Sequence, residues 1–260
     1  MSSNTVMCDI SDRIAVVTLN RPDAANGLNL ELTTTLAATA ARIDADKSIK
    51  SVVITASGRF FCAGGDLKAF QSDEIDPGFY IKEVADNLHR AISIFDRMAP
   101  PVIIAINGVA AGAGFSLAAT GDLAVAAESA SFTMAYTRAG LSPDGSSTHY
   151  LPRIIGMRKT KELMLTNRTL SANEAMEWGL INEVVADEQL MPRAMELAQS
   201  MVRGSLGSNA AVKQLLAGTY KNGLEEQMEL ESRKIAECLV SPDGQEGTRA
   251  FAEKRAPEFL

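Results

Sequence analysis

The chain has 260 residues, 46% of them hydrophobic, and a formal net charge of −7. That size and apolar content suffice for one large core, and an acidic balance with no basic stripe excludes a nucleic-acid partner. No apolar run approaches the roughly 18–20 residues of a membrane span, and Cys8, Cys62, Cys238, His89 and His149 are too scattered for a disulfide framework or a metal cluster. The polar segment 1–9 has no basic stretch leading into an apolar one, so a cytoplasmic protein is expected, in a compartment that keeps the cysteines reduced.

In chain order, residues 6–10 and 13–19 read as two strands paired across a short turn. Residues 30–46, rich in Ala, Leu and Thr, read as a helix, and the β-branched run 51–56 as a buried strand. That strand leads into Phe61-Cys62-Ala63-Gly64-Gly65-Asp66-Leu67. Residues 71–80, with several acids, Pro77 and Gly78, read as a mobile loop, and 82–97 as a helix that Pro100-Pro101 ends. A second apolar strand, 102–106, leads into Asn107-Gly108-Val109-Ala110-Ala111-Gly112-Ala113-Gly114-Phe115. A central helix is expected over 112–120 and a strand over 123–127. From Met157 onward only helices are expected: 159–165, 171–178, 191–202, 209–220, 224–239 and 244–254. Strands alternating with helices, then helices alone, predict an α/β core with a helical region behind it. The division falls near Pro152, giving 1–152 and 153–260 without a linker of the Pro/Ser/Gly-rich kind.

The two glycine stretches carry the chemistry. Each lies where a strand gives way to a helix, so backbone N–H groups lack helical partners and the helix dipole adds positive potential. Either turn alone is ordinary tight-turn chemistry. Two of them facing one point would hold a developing oxyanion with backbone groups only, the outline of an acyl-group enzyme.

Five motifs follow in order: RPDAANGLN (21–29), GRFFCAGGDL (58–67), PPVIIAINGVAAGAG (100–114), GL (140–141) and EAMEWGLINEVV (174–185). In these the chain resembles the crotonase superfamily of enoyl-CoA hydratases, isomerases and their relatives. The resemblance extends from Ile14 to FAEKRAPEF at 251–259. It implies a spiral of ββα repeats with a C-terminal helical region that builds trimers, often paired as hexamers. It also implies an acyl-CoA thioester as substrate and no cofactor beyond the CoA that the substrate carries. The oxyanion donors would be the N–H groups of Gly65 and Ala113. Backbone groups of Ala63, Asp66 and Leu67 would receive adenine and pantetheine. The family motif has a Lys or Arg two residues after the position of Pro22, where this chain has Ala24; Lys68 and Lys254 (or Arg255) are the expected substitutes.

The two glutamates that add water in the hydratases fall at Ser116 and Tyr136, neither of which carries protons readily near neutral pH. By itself Asp144 in GLSPDGSS (140–147) reads as a Pro-Asp-Gly turn. By resemblance it stands where enoyl-CoA isomerases, and the ring-opening isomerase of phenylacetate breakdown, keep their sole acid/base. In 4-chlorobenzoyl-CoA dehalogenases an aspartate there is the nucleophile. His89 reads as a helix-surface histidine, yet its place resembles that of the dehalogenase base, while Tyr136 and Gly65 replace the tryptophan and phenylalanine of those enzymes. The expectation is an enoyl-CoA isomerase with Asp144 as its acid/base. The alternatives are a dehalogenase-like hydrolase using Asp144 and His89, and a non-catalytic acyl-CoA-binding protein.

Overall fold

The structure is a computed structural model that describes residues 5–69 and 76–259. The apolar runs of the sequence become a six-stranded sheet in the order β1-β2-β3-β5-β7-β10. Its members are β1 (Val6–Ser11), β2 (Ile14–Leu19), β3 (Ser51–Ala56), β5 (Val102–Ile106), β7 (Leu123–Ala127) and β10 (Glu183–Val185). β1 and β2 form an antiparallel hairpin. Its two-residue turn places Asp12 and Arg13 at φ 50° and 67°, the left-handed pair that a tight hairpin turn requires. From β2 to β10 neighbouring strands run parallel. Parallel strands covered on both faces need continuous apolar sequence, which is why β3 and β5 are buried at every residue.

Alternate side chains of these strands feed two cores. Val52 and Ile54 face the main one, with α1 (Leu30–Ala45) and α2 (Pro77–Arg97). Val53, Ile103 and Val125 point the other way, onto Leu190, Ala194 and Ala198 of α7 (Leu190–Arg203). Asn29 starts α1 by accepting the Leu32 N–H at 2.9 Å.

Each of three sheet strands is followed by a short strand of a second sheet: β3 by β4 (Phe60–Cys62), β5 by β6 (Val109–Ala111), β7 by β8 (Ser131–Thr133). These run parallel, and β9 (Leu170–Ser171) closes the edge, giving the order β4-β6-β8-β9. The repeat is one of backbone geometry, since strands of three residues carry no period that a sequence can display. For the same reason β9 and β10 fall in a stretch expected to be wholly helical, and they correct that expectation.

A second correction concerns the expected loop at 71–80. Asp76 accepts the N–H groups of Gly78 and Phe79 (2.8 and 3.1 Å), and Pro77 occupies the first helical position, so residues 77–80 open α2. A proline there loses no helix hydrogen bond and starts a helix instead of breaking one. Residues 71–75 of that loop lie outside the described residues.

The remaining helices are α3 (Ala113–Ala118), α4 (Ser147–Ile154), α5 (Gly156–Thr166), α6 (Ala172–Glu177), α8 (Leu206–Gly218), α9 (Leu224–Val240) and α10 (Pro242–Glu253). Pro152, at the expected division, lies inside α4. Neither α8 nor α9 buries a residue, and both expose large apolar side chains such as Leu216, Leu224 and Ile235. No helix among the described residues is long and apolar enough to cross a membrane.

Candidate active site

β4 and β6 are neighbours, so the turns that follow them meet. Their approach is closer than any side chain permits. A Cβ on Gly64 (φ +95°) would lie 2.9 Å from the Ala111 carbonyl oxygen, and one on Gly114 only 2.2 Å from that of Cys62. The glycines thus set the spacing of the two turns.

Gly65 pairs with Leu28 in a one-residue parallel bridge. Leu28 donates to the Gly64 carbonyl (2.8 Å) and accepts from Asp66 (2.9 Å). Groups on either side of Gly65 face Leu28, so the N–H of Gly65 itself points the opposite way. Ala113 is the first residue of α3, where an N–H has no intrahelical acceptor. Both N–H groups lack a protein acceptor among the described residues, and both residues line one cavity of about 360 Å³. Its walls are largely apolar. Ile81, Val84, Ala85 and Leu88 of α2 face it at helical spacing, opposite Leu28 and Leu141.

Asp144 enters this cavity from the turn before α4 and, among the described residues, is the only carboxyl group that lines it. Tyr136 donates its hydroxyl to Oδ1 of Asp144 at 2.6 Å, and the Tyr136 oxygen lies 2.9 Å from Oγ of Ser116. Ser116 is wholly buried and Tyr136 is 9% exposed. Burial first, and the charge of Asp144 second, push the Tyr136 phenol well above its ordinary range, so it stays protonated and serves as a donor. On the other side, Nε2 of His89 lies 4.0 Å from Oδ2 of Asp144. The Gly145 N–H donates to that same nitrogen at 3.1 Å, which occupies its lone pair and leaves the ring proton on Nδ1. Gly145 is left-handed (φ +60°), and a Cβ there would lie 2.7 Å from Cβ of Ser116. The Asp144 turn is therefore pressed directly against residue 116.

The structure brings Gly65, Ala113 and Asp144 to one cavity, and sets His89 beside Asp144 without its lining the cavity. Ala63 and Leu67 also line it, but the Ala63 N–H is spent on the Ala25 carbonyl (3.0 Å). The Asp66 carboxylate pairs with Arg21 at 3.0 Å, and Arg21 also bonds the Gly27 carbonyl, tying the loop after β2 to the first glycine turn. Lys68 is exposed, and Lys254 forms the left-handed end of α10; neither lines the cavity. The cation that does is Lys82, paired with Asp86 at 2.5 Å. It escaped sequence reasoning, although the spacing of Ile81, Val84, Ala85 and Leu88 already defined the face it borders. The hydroxyl relay from Ser116 through Tyr136 to Asp144 was likewise hidden, because its members are 20 and 8 residues apart.

Two backbone N–H groups and, among the described residues, one carboxyl group on a largely apolar cavity form the arrangement that a site for an acyl group with a charged carbonyl would use. Residues 9–260 match the enoyl-CoA hydratase/isomerase family, and the chain belongs to that family. It is similar to the 1,2-epoxyphenylacetyl-CoA isomerase of Escherichia coli, 36% identical over 98% of this chain and 97% of that protein. It is similar too to 4-chlorobenzoyl coenzyme A dehalogenase-2 of an Arthrobacter species, at 32% identity over 98% and 94%. Among solved structures, an enoyl-CoA hydratase from Polaromonas sp. JS666 superposes with a TM-score of 0.93 at 31% identity, covering 98% of this chain and 99% of its own. The fold is accordingly the crotonase fold.

Proposed function

We propose that this chain is an enoyl-CoA isomerase that moves a carbon–carbon double bond from C3 to C2 of an acyl-CoA thioester. One observation carries the reading: among the described residues, the cavity lined by Gly65 and Ala113 offers a single carboxyl group, Asp144. Oδ2 of Asp144 takes a proton from C2, and the C–H electron pair flows toward the thioester, whose oxygen bears the charge of the dienolate. The N–H groups of Gly65 and Ala113 hold that oxygen, each worth about 2.7–4 kcal/mol in comparable sites. Asp144 then returns its proton to C4, and the remaining double bond lies between C2 and C3. Nothing is oxidised or reduced, so the reaction needs no cofactor beyond the CoA of the substrate. Hydration would instead need a water held between two carboxyl groups, and Ser116 and Tyr136 occupy those places. Ala63 and Leu67 flank the path for pantetheine, and Lys82 at the cavity offers a cation for a phosphate.

The test is an ultraviolet assay with a 3-enoyl-CoA, watching for the conjugated 2-enoyl product, beside Asp144→Asn. Loss of a general base costs roughly 10²–10⁴-fold. The variant is expected to lose at least that while still binding acyl-CoA, and a fully active variant would refute the assignment. A second reading has its own support in His89, 4.0 Å from Asp144: a dehalogenase-like hydrolase with Asp144 as nucleophile. Halide release from a chlorobenzoyl-CoA, abolished in His89→Gln, would favour it. Acyl-CoA binding without turnover of either thioester would leave a binding protein. The apolar faces of α8 and α9 support assembly into a trimer or hexamer, measurable by light scattering, and a cytoplasmic site of action is part of the same proposal.

A further inference from the structure

We propose that Tyr136 is a positioning residue that pins one oxygen of Asp144, so that the other oxygen alone carries the proton between two substrate carbons; this rests on the isomerase reading. The carboxylate can only accept, and the Tyr136 hydroxyl, at 2.6 Å from Oδ1, has one proton to give. The Ser116 hydroxyl is then free to donate to the Tyr136 oxygen at 2.9 Å, its other acceptor being the Gly112 carbonyl at 3.3 Å. Donation to a group that is itself donating strengthens the outer bond, and a short hydroxyl-to-carboxylate bond is among the stronger ones proteins make. Oδ2 is treated differently. The nitrogen nearest to it, Nε2 of His89, lies 4.0 Å away and already accepts the Gly145 N–H, so it supplies Oδ2 with no proton.

The asymmetry matters for a base that must return the proton it took. A carboxyl group free to turn about Cβ–Cγ would carry its proton away from the dienolate toward solvent, since the Asp144 side chain is 31% exposed. With Oδ1 held, the proton gained at Oδ2 stays over the substrate until C4 collects it. The buried hydroxyls at 116 and 136 are thus the means by which the third carboxyl group works alone.

Turnover of a 3-enoyl-CoA in deuterated water tests this. In Tyr136→Phe, kcat is expected to fall roughly tenfold to a hundredfold, the range for losing a hydrogen bond to a charged group. KM should stay within about twofold, and deuterium at C4 of the product should rise. Ser116→Ala, which leaves the phenol in place, should show the same signs more weakly, and its effect should vanish in the Tyr136→Phe background. That variant also keeps the test decisive if Tyr136→Phe does not fold. Unchanged kcat and deuterium content, or a loss of kcat that tracks melting temperature and KM with no added deuterium, would overturn the proposal. A proton NMR signal far downfield, from the hydroxyl shared with Asp144, needs no turnover. It should be present in the wild type and absent from Tyr136→Phe, and its absence from the wild type would refute the pinned oxygen. Silence of the wild type toward every enoyl-CoA would refute the isomerase reading instead.

Discussion

On the proposed reading, oxyanion binding depends on the spacing of the two glycine turns, and Gly114→Ala perturbs it by one methyl group. Its Cβ would lie 2.2 Å from the Cys62 carbonyl oxygen, 2.6 Å from Cys62 Cβ and 2.8 Å from its carbonyl carbon. Ordinary contact begins near 3.4 Å, so the helix and the strand must part by roughly 1 Å. Neither has room to yield easily. Cys62 is fully buried in β4 and paired with Ala110 of β6, and every residue of α3 is buried. Overpacking of this kind costs about 1–3 kcal/mol, and alanine's helix preference over glycine returns at most about 1 kcal/mol. For a chain of this length the melting temperature should fall by up to roughly 10 °C. A shift of about 1 Å between catalytic groups costs on the order of a hundredfold in rate, so the loss in kcat should exceed what the stability change predicts. Differential scanning calorimetry and the double-bond assay read the two effects separately. Gly223→Ala is the control, because nothing lies within 4 Å of its added methyl group and its φ is −70°. If Gly114→Ala melts and turns over like the wild type, close packing of the turns does not set the site.

Two further outcomes follow from groups outside the cavity. Asn26 is fully buried, accepts the Arg21 N–H (2.8 Å) and donates to the carbonyls of Ser57 and Phe60 (2.9 and 2.7 Å). Asn26→Ala strands these partners and should cost roughly 2–4 kcal/mol in denaturant unfolding, while a loss below about 1 kcal/mol would refute that accounting. Arg255 donates to both oxygens of Glu246 (2.6 and 3.0 Å) and holds that carboxyl group down near about 2. A lowered carboxyl pKa stabilises the fold above the ordinary 4.5 and loses that effect as pH falls toward 2. Glu246→Gln should flatten the decline of stability in that acid window, and an unaltered decline would show the pair contributes nothing.

What the sequence revealed and what it hid divide along physical lines. The central strands of the large sheet, such as Val102–Ile106, were legible because burial on both faces demands a continuous apolar run, whereas its edge strand β10 was not. The helix expected over 30–46 was legible from its Ala, Leu and Thr content, and the structure ends it at Ala45. The second sheet was not, because β4, β6 and β8 have three residues each and hold their place through neighbours far along the chain. At the proposed site the glycines mark two strand-to-helix turns, while the particular donors, Gly65 and Ala113, are expected from their places in the family motifs. Asp144 could be named only through resemblance, since Pro-Asp-Gly is a common turn. The hydroxyl contacts from Ser116 through Tyr136 to Asp144 follow from tertiary packing, which sequence spacing does not encode.

The same contacts explain why the two kinds of acid do not share this cavity. The turn that carries Asp144 reaches it only because Gly145, left-handed and without a side chain, settles against Ser116. A long side chain at 116, leaving its Cβ as the serine does, would run into the Tyr136 oxygen 2.9 Å from Oγ. A residue at 136 without a hydroxyl would release Oδ1 of Asp144. The small serine, the tyrosine and the glycine therefore depend on one another; on the isomerase reading they take the place of two water-handling carboxyl groups and leave one held on a single oxygen. The backbone donors at Gly65 and Ala113 are untouched by that exchange, because they come from the spacing of β4 and β6. On the isomerase reading, this chain holds its enolate through the spacing of the sheet strands, and three residues packed against one turn set the path of the protons.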